Sequence, residues 1–310
     1  MESALKKQAG EQAKIAAILD REAKQKADSG QITEAEEYFA KAAAVSMDPG
    51  IINDYGLFLK RIGMLAKAEE KFKQVAQLGK AVDEKSIEAV AYGNLGVLYK
   101  TRGDLKKAEG MFRKSLAIDE ELGRKEGMAN QYGNLGILYM TRGDMKRAEE
   151  MYREALAIDE ELGRKEGMAN HYGNLGVLYG KRGALKRAEE MFRKSLAIEE
   201  ELGRKEGMAS DYGNLGNLYK TRGDLKKAEE MYKRALAIDE ELGRKEGMAN
   251  AYGNLGNLYM IRGDLKKAEE MYKKALVIFD SFGNRKEVRK VNLLIKKVKI
   301  LGKKKEITGS

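Results

Sequence analysis

At 310 residues and a formal net charge of +10, the chain is long enough for two ordinary domains or for one elongated repeat array. The absence of cysteine excludes disulfides and thiolate metal sites, and a single proline (Pro49) with abundant Ala, Leu, Glu, Lys, Met and Arg marks a helical composition. No stretch approaches the roughly eighteen consecutive apolar residues of a membrane helix, and Met1 to Gln12 lacks the apolar core of a secretory leader, so a cytoplasmic protein is expected.

The first elements are two degenerate repeat units, in which Gly30, Ala35 and Phe39 are followed by Gly63, Ala68 and Phe72. From there a period of forty takes over. Tyr-Gly-Asn-Leu-Gly begins at Tyr92, Tyr132, Tyr172, Tyr212 and Tyr252. Arg-Gly recurs at Arg102, Arg142, Arg182, Arg222 and Arg262, and Leu-Gly-Arg-Lys-Glu-Gly-Met-Ala at Leu122, Leu162, Leu202 and Leu242. A fixed period of this length is the signature of a repeat architecture, and seven units result.

Each unit reads as two helices. In one of them the first helix spans about Glu126 to Thr141, with Ala129, Tyr132, Leu135, Leu138 and Tyr139 on one face. Gly143 suits a left-handed helix end, and Asp144 suits the N-cap of the next helix. That second helix, Met145 to Leu162, is expected to bury Met145, Ala148, Met151, Tyr152, Leu156, Ile158 and Leu162 before Gly163 ends it. Ala184 replaces the capping aspartate in one unit, which predicts a slightly frayed turn there.

After Gly283 the repeat stops. Arg285 to Leu301 forms one more helix, with Val288, Val291, Leu294, Ile295, Val298 and Leu301 on one side, as a cap over the last apolar face requires. The boundaries read as a repeat array over 1–283 (degenerate over 1–86, near-identical over 87–283), a capping helix over 284–302 and a basic flexible tail over 303–310. Ten Lys and Arg against Glu287 and Glu306 give residues 284–310 a charge of +8, which leaves +2 for everything before. The repeat body is therefore close to neutral. A solvated charged end is expected rather than a nucleic-acid or membrane-binding surface.

Tyr92-x-x-Leu95-Gly96-x-x-Tyr99, followed by Ala108-x-x-x-Phe112, resembles the tetratricopeptide signature, with tyrosine where that family often has tryptophan. The forty-residue unit is longer than the usual thirty-four and resembles the repeats of kinesin light chains and Pins-type adaptors. The resemblance implies an all-α, right-handed superhelical solenoid of about seven helix-turn-helix repeats with a C-terminal capping helix. It implies a binding scaffold, with a protein or peptide as partner.

The residues offer little catalytic chemistry. His171 is the only histidine, and Gln131, Asp211 and Ala251 hold its place in neighbouring units, so a surface position is expected for it. No Ser-His-Asp or Cys-His set can be assembled, and no metal cluster contains two histidines; no enzyme activity, cofactor or metal site is expected. Asp119-Glu120-Glu121 recurs before Gly123-Arg124-Lys125 and reads as a solvated helix end with local charge pairs. Gly93-Asn94-Leu95-Gly96 superficially matches short phosphate-binding motifs, but it lies inside a helix, where its glycines serve packing.

Asparagine forms the more informative pattern. Asn94, Asn134, Asn174, Asn214 and Asn254 occupy one place in five consecutive first helices. Asn130, Asn170 and Asn250 lie one turn earlier, with Ser210 completing that column, and Asn217 and Asn257 add a third column where Val97, Ile137 and Val177 stand elsewhere. The first helices of a stacked array line its concave wall, so these amides would line a groove, with Gly93, Gly133, Gly173, Gly213 and Gly253 leaving room for a guest. An amide both donates and accepts, and so pairs with a peptide backbone of any sequence. The leading expectation is an adaptor that holds a peptide segment of a partner. The alternatives are a self-assembling structural scaffold, and a docking or sensory module of a larger regulatory complex.

Overall fold

The structure is a computed structural model that describes residues 2–308, with side chains at position 8 and over 10–303. The described residues form fifteen helices and no strand. The chain divides into two compact units, Met1–Ile158 and Asp159–Ser310. In the first unit α1 (Glu2–Asp28) and α2 (Ile32–Val45) form a hairpin, followed by α3 (Pro49–Arg61) with α4 (Leu65–Ala81) and α5 (Lys85–Thr101) with α6 (Leu105–Glu121). Then come α7 (Lys125–Arg142) and all but the last turn of α8 (Met145–Glu161). The second unit holds α9 (Lys165–Lys181) with α10 (Leu185–Glu201), α11 (Lys205–Arg222) with α12 (Leu225–Glu241), α13 (Lys245–Arg262) with α14 (Leu265–Ser281), and α15 (Arg285–Thr308). These are the seven expected helix-turn-helix repeats and one further helix.

Within each unit the helices pack on their sequence neighbours, α7 meeting α8 at Gly136 and Tyr152, and the first helices of adjacent repeats also touch, α3 with α5 and α5 with α7, α9 with α11 and α11 with α13. First helices therefore form a layer of their own. The two helices of a repeat close on a glycine: a Cβ built on Gly96 would overlap the Phe112 ring, and one on Gly216 the Tyr232 ring. Those rings are buried, as are Leu95, Leu98, Leu215 and Leu218, and this dense packing of small against aromatic is the core of each repeat.

Turn chemistry follows the local sequence. Gly143 has φ of 83° and its N–H donates to Met140 O at 3.1 Å, a left-handed end that glycine adopts at least cost. Asp83 holds the same kind of conformation, with φ of 54°, where the later units use Gly123 and its equivalents. Asp144 Oδ1 accepts from Arg147 N–H at 3.1 Å, as the capping reading requires. The Ala184 turn, however, is not frayed. Its helix starts at Leu185 and runs as far as its equivalents, because Ala184 N–H to Tyr179 O (2.9 Å) and Ala188 N–H to Ala184 O (3.0 Å) close the turn through backbone alone.

Two other expectations are corrected. Leu162 is 41% exposed, as its equivalents Leu122, Leu202 and Leu242 are comparably, because the end of the second helix overhangs the edge of the core. The inner place one turn earlier belongs to Asp159, only 1% exposed. Along α15 the residues Val291, Ile295 and Val298 are buried while Leu301 is exposed. This helix runs through Thr308, into the segment expected as tail, and Gly309 and Ser310 lie outside the described residues. Among the described residues no helix is long and apolar enough to cross a membrane.

Successive repeats are stapled by a recurring polar clamp. Glu109 on α6 accepts from Tyr139 Oη of α7 at 2.7 Å and pairs with Arg142, while Arg113 also donates to Tyr139 Oη at 2.8 Å. The same set recurs as Glu69 with Tyr99 and Arg102, Glu189 with Tyr219 and Arg222, and Glu229 with Tyr259 and Arg262. Hydrogen bonds from Tyr139, Arg142 and Arg113 hold the Glu109 carboxyl down at about 2 against the opposing effect of its partial burial.

Candidate functional site

The asparagine columns stand on the layer of first helices, and the structure assigns them different surroundings. In the first unit Asn94 is half-buried and its Nδ2 donates to Asn53 Oδ1 at 2.7 Å, so one amide of the pattern already has a protein partner. Asn134 is half-buried and Asn130 exposed. In the second unit Asn174, Asn214 and Asn254 are half-buried, and Asn170 and Asn250 are exposed. Asn217 and Asn257 do something that their column did not suggest: their Oδ1 atoms accept from Tyr232 Oη at 2.8 Å and Tyr272 Oη at 2.7 Å. These two amides satisfy buried hydroxyls inside the fold. Their sequence signal was a partial co-occurrence: Val97 and Val177 stand where the second helix has Phe112 and Phe192, but Ile137 stands against Tyr152.

Five of the asparagines converge on one cleft in the second unit, with a volume of about 420 Å³. Asn214 and Asn217 of α11 and Asn250, Asn254 and Asn257 of α13 line it, and α15 closes its far side with Val291 and Leu294. Asn170 and Asn174 are not among its lining residues. The glycines divide as well. A Cβ on Gly213 or Gly253 meets nothing within 4 Å, whereas one on Gly93 would lie 3.1 Å from Gln131 Nε2. Open space beside the backbone therefore belongs to the cleft and not to every repeat.

Each unit also holds buried carboxylates at one repeat position, Asp119 in the first and Asp159, Glu199 and Asp239 in the second. Asp119, Asp159, Glu199 and Asp239 are each at most 5% exposed, which corrects the solvated helix end expected for the first residue of Asp119-Glu120-Glu121. Each faces an arginine five residues later: Arg124 Nε is 3.5 Å from Asp119 Oδ1, Arg164 Nη1 3.1 Å from Asp159 Oδ1, and Arg244 Nη1 3.3 Å from Asp239 Oδ1. Gly127, Gly167, Gly207 and Gly247 make the room, since a Cβ on any of them would overlap the facing carboxylate. Burial raises the Asp119 and Asp239 pKa values, and the neighbouring arginine opposes the shift in each case. The pattern was legible as a carboxylate, an arginine five later and a glycine eight later, but its burial was not.

The variable column of Gln131, His171, Asp211 and Ala251 meets these carboxylates in the second unit, at His171. His171 is 7% exposed and its Nε2 lies 3.2 Å from Asp159 Oδ2, which overturns the expected surface position. Its variability reflects different fillings of one interior place, and burial together with Arg164 lowers its pKa to about 4. Asp211 is also buried, and desolvation raises it to about 7 against the hydrogen bond from Ser195. Among the described residues no group of three or more metal-ligating side chains is placed to hold an ion.

The comparisons agree with this architecture. No curated protein matches the sequence significantly. The structure is similar to BtubC (BKLC) from P. vanneervenii, at 28% identity and a TM-score of 0.60, over 72% of this chain and 92% of that one. A Podosopora anserina putative kinesin light chain with nearly identical TPR-like repeats is similar at 21% identity and a TM-score of 0.53, over 63% and 95%. A signal transduction ATPase with a tetratricopeptide repeat sensor from Pyrococcus horikoshii shares the fold at a TM-score of 0.71 and 16% identity, over 93% of this chain and 44% of that one. The tetratricopeptide repeat model matches residues 49–121, 127–201 and 207–281, and with most of its length so matched the chain belongs to the tetratricopeptide repeat family.

Proposed function

We propose that the chain is a non-enzymatic interaction scaffold that holds a peptide segment of a partner protein against its first-helix layer. The observation that carries this reading is the second unit's cleft, where five asparagines surround space left open at Gly213 and Gly253. Neutral amides with both donors and acceptors suit a peptide backbone and confer little dependence on its charge. In this reading Asn214, Asn250 and Asn254 contact the guest, while Asn217 and Asn257 chiefly hold Tyr232 and Tyr272. Asn94, Asn134 and Asn130 would act likewise in the first unit, Asn94 by exchanging its bond to Asn53. Asn170 and Asn174 continue the layer beside α11.

Peptides selected from a random display library on the intact chain test the proposal. Replacing Asn174, Asn214 and Asn254 together with alanine should leave helix content unchanged by circular dichroism. At about 0.5–1.5 kcal/mol per lost hydrogen bond, binding should weaken at least about tenfold. Selected peptides that bind the folded variant as tightly as the parent would remove the amides from the function. Concentration-dependent self-association that the three substitutions leave intact would favour a self-assembling scaffold.

A further inference from the structure

The interior place held by the variable column is filled at most interfaces by complementary side chains. Gln131 fills it beside Ser115, Asp211 beside Ser195, and His171 against Asp159. At Ala91 the filling comes from the other side, where Val75 stands at the Ser115 position and packs with Ile52. At the C-terminal end Val291 and Phe279 occupy the corresponding positions, and both are buried. Ala251 is different: the equivalent of Ser115 is Ala235, and the equivalent of Asp119 remains the carboxylate Asp239. All three line the cleft. Asp239 is 5% exposed, and among the described residues its Oδ1 accepts no hydrogen bond although Arg244 lies 3.3 Å away.

We infer that the space at Ala251 is a side-chain pocket for one neutral N–H donor, a glutamine or histidine of the guest peptide, which donates to Asp239. This rests on the peptide-binding reading above and specifies what that peptide carries. The chain itself uses these two residue types at the equivalent places: His171 Nε2 sits 3.2 Å from Asp159 Oδ2, while Gln131 fills its place beside Gly93 and Ser115 and, among the described residues, leaves Asp119 Oδ1 without a donor. A cationic side chain is disfavoured because Arg244 occupies the other approach to Asp239. The same arrangement holds His171 neutral, with burial and Arg164 lowering its pKa. An apolar side chain would fill the space and offer the Asp239 carboxylate no donor, whereas at the equivalent Asp159 the arginine faces Oδ1 and His171 Nε2 reaches Oδ2. The neighbouring Glu287 and Lys290 pair with one another at 3.0 Å and so leave the rim without net charge.

The test uses side-chain fragments on the full chain, followed by the methyl resonances of Ala251 and Ala235. Propionamide, and 4-methylimidazole above its own pKa, should give saturable shifts. The ketone isostere 2-butanone and methylguanidinium should bind weaker by about fivefold or more, the value of one lost hydrogen bond. Ala251→His and Ala251→Gln, which build the neighbouring repeats' own filling into the pocket, should abolish the fragment shifts of the Ala235 methyl, the one probe both variants keep, while the chain stays folded. Equal binding of 2-butanone and propionamide, or undiminished fragment binding to either folded variant, would overturn the inference. Capped alanine pentapeptides with glutamine, histidine, leucine or arginine at the centre separate the two readings. Asn214→Ala with Asn254→Ala should weaken all four alike, whereas Ala251→His should weaken only the glutamine and histidine peptides. Four peptides of equal affinity, unaffected by Ala251→His but weakened by the asparagine changes, would leave the amide groove standing and sink the pocket.

Discussion

Single residues settle matters that the repeat pattern leaves open, and the second-helix aromatic is the sharpest case. Tyr232 and Tyr272 donate to Asn217 and Asn257. Tyr152 has Ile137 at the equivalent place, and among the described residues its buried hydroxyl has no partner. An unmade buried hydrogen bond costs about 1–3 kcal/mol, so the same substitution should act with opposite signs at the two sites. Tyr152→Phe should raise unfolding stability by about 1 kcal/mol and Tyr232→Phe should lower it by about the same, as read from urea titrations; equal signs would refute the pairing. His171 supplies a pH dependence. Its folded pKa of about 4 lies below the reference value of 6.5, so the unfolded chain takes the proton first as pH falls. The stability it contributes is complete above pH 6.5 and is lost towards pH 4. His171→Gln, the residue used at Gln131, should flatten that limb by about 1–3 kcal/mol, measured as unfolding midpoint against pH.

At the scale of helices, repeats are joined by a charged clamp as well as by apolar packing. Glu109 ties α6 to α7 through Tyr139 and Arg142, and Glu229 ties α12 to α13 through Tyr259 and Arg262. Both carboxyls sit at about 2, so their contribution is whole above the unfolded glutamate pKa and is lost as pH falls through about 2. Each side chain is about one-fifth exposed, which keeps its contribution near 1–2 kcal/mol. Glu109→Gln should lower stability by about that amount at neutral pH and make no difference near pH 2. A difference that persists unchanged into acid would show that the carboxylate charge is not what joins the helices.

For the whole molecule, α15 closes the second unit and carries most of its charge asymmetry. Val291, Ile295 and Val298 cover the end of the array while lysines face outwards. Removing residues 285–310 uncovers an apolar face and takes net charge from +10 to +2. Both changes favour association. The shortened chain should unfold at lower urea and show concentration-dependent mass in sedimentation. A stable monomer would mean that the helix is an appendage and not a cap. The same helix supplies one wall of the asparagine-lined cleft, so the shortened chain should also lose affinity for any peptide held there.

The period of forty, its paired helices and the position of each turn glycine were set by local sequence, because helical spacing and glycine at left-handed ends act over a few residues. The asparagine columns were legible for the same reason, since residues at equal repeat positions share a face. What depended on tertiary structure was the environment behind each position. A carboxylate beside two glutamates at a helix end reads as solvated, and only packing against a glycine of the next helix buries Asp119 and Asp239. A lone, variable histidine reads as surface until His171 is seen across from Asp159. Ala251 looks unremarkable in the sequence, and becomes a pocket because neither Ala235 nor Asp239 fills the space that larger side chains occupy in neighbouring repeats. Complementary volume between successive helices is a property of their packing and not of either helix's own sequence pattern.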